Sequence, residues 1–97
     1  MKFRRSKSFD NDLEGLEKAD KKAAKSTIYQ ITQALQGNAE LYSKYRIKKM
    51  KGKDGFWEGH IKQNLCFVFS KIEDVNGEIV CEFHAIGHHP IYKKISR

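Results

Sequence analysis

Four histidines, His60, His84, His88 and His89, all lie in the C-terminal half of this 97-residue chain. They stand inside segments that alternate apolar and polar residues, Phe56-Trp57-Glu58-Gly59-His60-Ile61-Lys62 and Glu82-Phe83-His84-Ala85-Ile86-Gly87-His88-His89. Imidazole titrates near neutral pH and can take or give a proton. Lys49, Lys51 and Lys53 come shortly before them; ammonium groups bind phosphate and stabilise charge developing on its oxygens. Phe67, Phe69 and Tyr92 offer flat rings on which a base can stack. Together these parts suffice to hold single-stranded RNA and cleave it. The ribose 2′-hydroxyl would attack the adjacent phosphate, one imidazole taking its proton and another protonating the departing 5′-oxygen. That chemistry requires no metal and no cofactor.

Each part also has a plainer reading. Lys49, Lys51 and Lys53 can be a solvated edge, and Tyr92 can anchor the tail by packing. His84, deep in a strand beside Phe69, reads as structural. A zinc site from His88, His89 and a cysteine is disfavoured, because the cysteines fall among apolar side chains and the spacing matches no common zinc motif.

The elements that must position these residues follow from periodicity. Lys2 to Phe9 alternates as a short polar edge strand. Asp10 can cap a helix. Leu13, Leu16, Ala19, Ala23 and Ala24, then Ile28, Ile31 and Leu35, form helical stripes ending at Gly37. Ser26-Thr27 is the candidate break in a helix pair, or one kinked helix, over about Asn11 to Gln36. From Tyr45 the period becomes two, with strands at about Tyr45–Lys51, Phe56–Lys62, Leu65–Glu73 and Glu78–Ile86. Asp54-Gly55 and Asn76-Gly77 are hairpin signals, Gln63-Asn64 a weaker one.

This order predicts an α+β fold in which two N-terminal helices cover one face of a twisted, antiparallel-dominated sheet of four or five strands. Two-residue turns throughout would put Trp57, Ile61, Cys66, Val68, Ile72, Ile79, Cys81, Phe83 and Ala85 under the helices. Lys49, Lys51, Glu58, His60, Phe67, Phe69, Glu82, His84 and His88 would share the other face. The same register sets Cys81 opposite Ile72, about 20 Å along the strand from Cys66, too far for a disulfide. Two free, buried thiols fit a reducing compartment, expected to be the cytoplasm.

The length suits a single domain over 1–97. Hydrophobic content of 39% is enough for a core, and no apolar run approaches a membrane span. A net charge of +7 favours an anionic partner, whether nucleic acid, an acidic protein or a membrane surface.

The chain resembles the RelE-like toxins of bacterial type II toxin–antitoxin pairs. The resemblance runs from the helix pair through Tyr45-Arg46-Ile47-Lys48-Lys49-Met50-Lys51-Gly52, Trp57-Glu58-Gly59-His60-Ile61 and Ile86-Gly87-His88-His89, to Tyr92. It implies a ribosome-dependent mRNA endoribonuclease that enters the ribosomal A site, inhibits translation, and is silenced by an acidic antitoxin protein. Lys49 and Lys51 match a lysine pair of some members. His60 with Asn64 is similar to a His-x-x-x-Asp signature of another branch, with an amide in place of the carboxylate. The Gly87 segment matches the position of a catalytic Arg or His, followed by an aromatic that Tyr92 represents. Leu65-Cys66-Phe67 stands where many members carry an arginine. On this resemblance His60, His88, His89 and Tyr92 are the catalytic candidates, with Lys49, Lys51, Lys53 and Asn64 on the RNA. The alternatives are a toxin of the same fold that acts by binding a protein such as gyrase, and a basic RNA-binding module.

Overall fold

The computed structural model describes residues 1–88. Its elements run β1 (Lys2–Arg5), α1 (Lys7–Glu14), α2 (Lys18–Leu35), α3 (Ala39–Lys44), β2 (Lys48–Lys49), β3 (Phe56–His60), β4 (Leu65–Glu73) and β5 (Ile79–His88). The strands form a five-stranded sheet in the order β1-β5-β4-β3-β2. Only β1 pairs in parallel, against β5; the other pairings are antiparallel. The expected α+β architecture is therefore present. Among the described residues no helix is long and apolar enough to cross a membrane.

Local chemistry explains where the helices begin and end. Ser6 caps α1, its Oγ accepting from the Phe9 amide at 3.0 Å. The cap is thus Ser6 and not Asp10, which pairs with Arg5 at 3.3 Å. The break between the first two helices falls at Gly15, not at Ser26-Thr27. Ser26 and Thr27 return their hydroxyls to the Ala23 carbonyl, at 3.1 and 2.8 Å, and leave α2 unbroken. Asn38 caps the short α3, accepting from the Leu41 amide at 3.1 Å.

The helices cover one face of the sheet. Phe9, Leu13, Ala24, Ile31 and Leu35 meet Leu65, Phe67, Phe69, Cys81, Phe83 and Ile86 in one buried cluster. Trp57, Ile61 and Ile79 pack against it. A second cluster on the opposite face joins Cys66, Val68 and Ala85 to Met50 and Phe56.

The strand register departs from the one that two-residue turns predict. Phe67 and Phe69 lie under the helices, while Cys66, Val68 and Ala85 lie on the other side. The cause is two turns of unexpected length. Ile61 donates to the Leu65 carbonyl at 2.8 Å, so the turn holds three residues between that pair, Lys62, Gln63 and Asn64, and not two. Glu58 then faces Val68 and His60 faces Cys66, a slip that exchanges the faces of β3 against β4. The turn after β4 also takes an extra residue, because Asp74 accepts from the amides of Asn76 and Glu78, both at 2.9 Å. A bulge at Val68/Phe69 absorbs that extra residue. Beyond it the expected pairs Phe67–Ile86 and Leu65–His88 hold. Cys66 and Cys81 are buried thiols not joined in a disulfide, as expected, although Cys81 faces Lys71 and not Ile72.

Gly59 sits opposite Phe67, whose ring crosses its backbone. A Cβ there would lie 2.7 Å from Phe67 Cε1 and 3.2 Å from Ile47 Cγ1. Gly59→Ala should therefore displace the ring and cost about 1–3 kcal/mol of stability, read from denaturant unfolding. An unchanged unfolding midpoint would show that the ring yields freely.

Candidate active site

His60, Lys62, Asn64 and His88 gather at one end of the sheet. β3 ends at His60, whose amide donates to the Tyr45 carbonyl at 2.7 Å. Tyr45 is itself buried, and its hydroxyl donates to the Gln30 side chain on α2. Arg46 next to it takes a positive φ of 49°, turning the chain from α3 toward β2. His60 is half-buried and faces Cys66, which in turn faces Gly87. One strand therefore separates His60 from the end of β5, a backbone distance of about 10 Å.

His88 closes β5 on the helix side of that same end. Its Nε2 lies 2.8 Å from Asp20 Oδ2, and Lys62 Nζ lies 2.9 Å from Asp20 Oδ1. Asp20 stands in the first turn of α2 with its side chain only 9% exposed, whereas the side chains of Lys62 and His88 are 47% and 51% exposed. A buried carboxylate thus holds a half-exposed ammonium and a half-exposed imidazole, one on each oxygen. The Lys62 hydrogen bond, with that of His88, holds the Asp20 carboxyl below its ordinary value despite burial. Asn64 is exposed on the same β3–β4 connection as Lys62.

The other candidates are placed elsewhere. Lys49 faces Trp57, and its ammonium lies 5.6 Å from the centre of that ring; Lys71 approaches the same ring at 4.1 Å. It is Lys48, not Lys49 or Lys51, that reaches Glu58, at 3.5 Å. Lys51 and Lys53 lie in the connection before Phe56, at the end of β3 away from His60. His88 does not share a face with His60 and His84. His89 and Tyr92 lie outside the described residues.

His84 has a structural setting. Its Nε2 lies 2.7 Å from Ser70 Oγ and its ring centre 5.3 Å from that of Phe56. Burial pushes its pKa below 6.5, with Glu82 pulling the other way. As pH falls through 6.5 the unfolded chain binds this proton before the folded one does, so stability should fall from there down to the lowered folded value. His84→Gln can keep the bond to Ser70 and should flatten that slope in urea unfolding measured from neutral to mildly acidic pH. Equal slopes in parent and variant would show that His84 does not carry the effect.

Asp20 and Lys62 were not among the sequence candidates. Lys62 is the last residue of the expected strand Phe56–Lys62. Asp20 had a signal: it lies one helical turn before Ala24 and two before Ile28, so an acidic residue continues the stripe that packs inward. A carboxylate on a buried stripe needs partners.

Comparison with known proteins places the chain in a family and recovers its fold. Residues 1–92 match the family model described as the bacterial toxin of type II toxin–antitoxin system, YafQ. No match was found among curated protein sequences. Among solved structures, YafQ from E. coli strain BL21(DE3) superposes with a TM-score of 0.68 at 15% identity, covering 93% of this chain and 94% of that one. The toxin-containing E. coli DinJ–YafQ complex gives 0.65 at 17% identity, covering 90% and 91%. The RelB–RelE antitoxin–toxin complex from Methanococcus jannaschii gives 0.60 at 20% identity, covering 96% and 94%. At these identities the structures establish the fold, and the family model establishes the kinship. The chain belongs to the YafQ toxin family and is the toxin of a type II toxin–antitoxin pair.

Proposed function

We propose that this toxin is a metal-independent endoribonuclease that cuts mRNA in the ribosomal A site and so inhibits translation. The observation that carries the reading is the pairing of His88 and Lys62 on Asp20 at the sheet end that also carries His60. An imidazole and an ammonium held side by side, half open to solvent, match the two demands of phosphodiester cleavage. One is proton transfer and the other is stabilisation of charge on the phosphate oxygens.

In this mechanism the 2′-hydroxyl attacks the adjacent phosphorus, forming the 2′,3′-cyclic phosphate and releasing the 5′-oxygen. His60 and His88 reach the sheet end from opposite faces and divide the proton transfers on the two sides of one phosphate lying across that end, one accepting from the 2′-hydroxyl and the other donating to the leaving oxygen. Lys62 and Asn64 bind the scissile phosphate. Lys49, Lys51 and Lys53, farther along, grip flanking phosphates. Tyr92 stacks on a base, and His89 is the reserve proton carrier beside His88. An acidic antitoxin, by analogy with DinJ and RelB in the related complexes, covers this basic surface.

Induced expression in bacteria, with growth and mRNA integrity followed together, tests the proposal. Growth arrest with cleaved, ribosome-associated mRNA is expected. Arrest with intact mRNA would point instead to a toxin that acts by binding a protein.

A further inference from the structure

We infer that Asp20 is a positioning residue for cleavage: it fixes the ring orientation and tautomer of His88, so that Nδ1 is the nitrogen that exchanges a proton with the RNA. The inference rests on reading His88 as a proton-transfer group. Asp20 comes from α2, His88 from the end of β5 and Lys62 from the β3–β4 connection. Three separate parts of the chain therefore converge on one carboxylate.

An ionised carboxylate only accepts hydrogen bonds. Lys62 and His88 keep Asp20 ionised. At 2.8 Å, the Nε2 of His88 must then carry the hydrogen, in the neutral ring as well as in the imidazolium. In the neutral ring the lone pair is left on Nδ1. Rotation of the ring is opposed as well, since Asp20 is fixed by its place on α2 and by its second bond, to Lys62 at 2.9 Å. Asp12 on α1 is a further charge beside β5, its Oδ2 accepting from the Ile86 amide at 3.3 Å. A carboxylate behind a histidine serves the same orienting purpose in hydrolase triads.

The alternative is that Asp20 only pins α2 to the sheet end. Asp20→Asn separates the two. An amide can accept from Nε2–H or donate to a bare Nε2, so it no longer selects a tautomer, while its size is kept. Long-range proton–nitrogen NMR of the histidine-labelled toxin, recorded above the pH range in which imidazole titrates, reads the tautomer directly. The parent should show His88 with its hydrogen on Nε2, and the Asp20→Asn variant a mixture. Single-turnover cleavage on programmed ribosomes should fall by about 10-fold or more in that variant, with ribosome binding unchanged. Lys62→Met, which leaves the Asp20–His88 bond in place, should keep the parental tautomer. A tautomer that does not respond to Asp20→Asn, or a cleavage rate that does not, overturns the inference. Parental cleavage by His88→Ala would instead remove the nuclease role of His88, while the tautomer measurement still decides whether Asp20 sets it.

Discussion

His88→Ala should leave a folded toxin that cleaves ribosome-bound mRNA roughly 100-fold or more slowly, the usual loss when a proton-transfer group is removed. The side chain is 51% exposed and its deletion leaves Asp20 still bound by Lys62. Little stability should therefore be lost with it. His60→Ala should act likewise: the backbone bond from its amide to Tyr45 survives the substitution. His84→Ala should behave differently. It removes a partner of Ser70 and a neighbour of Phe56, so its effect should appear in the unfolding midpoint before it appears in the cleavage rate. The measurement is single-turnover cleavage beside thermal unfolding for all three variants. Parental rates in both His60→Ala and His88→Ala would shift the chemistry to Lys62 and Tyr92.

Why part of this site was legible in the sequence, and part was not, is a matter of range. The α+β order, the helical stripes and the last three strands follow from local periodicity, and they hold; of the expected strands Lys2–Phe9 and Tyr45–Lys51 only Lys2–Arg5 and Lys48–Lys49 form, and the short helix α3 has no expected counterpart. The terminal pairs Phe67–Ile86 and Leu65–His88 also hold, because an extra residue in the turn after β4 is cancelled by the bulge at Val68/Phe69. No local signal announces either event. The turn is lengthened by Asp74, a residue whose side chain captures two amides, and the bulge lies in an uninterrupted apolar run.

Between β3 and β4 no such cancellation occurs. One additional loop residue moves Phe67 and Phe69 under the helices and sends Val68 to the other face. The two registers are equally apolar here, since the Leu65–Phe69 run is apolar at every position. Period-two sorting has no power over such a run. The partnership of Asp20, Lys62 and His88 is beyond the reach of periodicity for another reason. It joins residues far apart in the chain and depends on how α2 lies against the end of the sheet.

Phe67 offers the sharpest structural test of this register. A Phe67 facing RNA would be a stacking platform, and Phe67→Ala would then weaken cleavage and leave stability alone. The observed ring is 1% exposed. It stacks on Phe69 at a centroid distance of 5.9 Å and meets Phe83 edge-on at 6.1 Å. Gly59 leaves no side chain in the space the ring fills. Removing a buried phenyl ring from such a site costs about 3–5 kcal/mol, because the lost apolar burial is compounded by a cavity. For a small domain of ordinary stability, about 5–15 kcal/mol, that is a large share of the total. Phe67→Ala should therefore lower the melting temperature by at least about 12 °C. Phe67→Leu, which refills much of the space, should cost less. Per folded molecule, cleavage by either variant should stay near the parental rate, since the ring touches the core and not the sheet end that carries His60, Lys62 and His88. A Phe67→Ala protein that melts with the parent yet cleaves poorly would put the ring on the RNA, and with it would return the β3–β4 register to the two-residue turn.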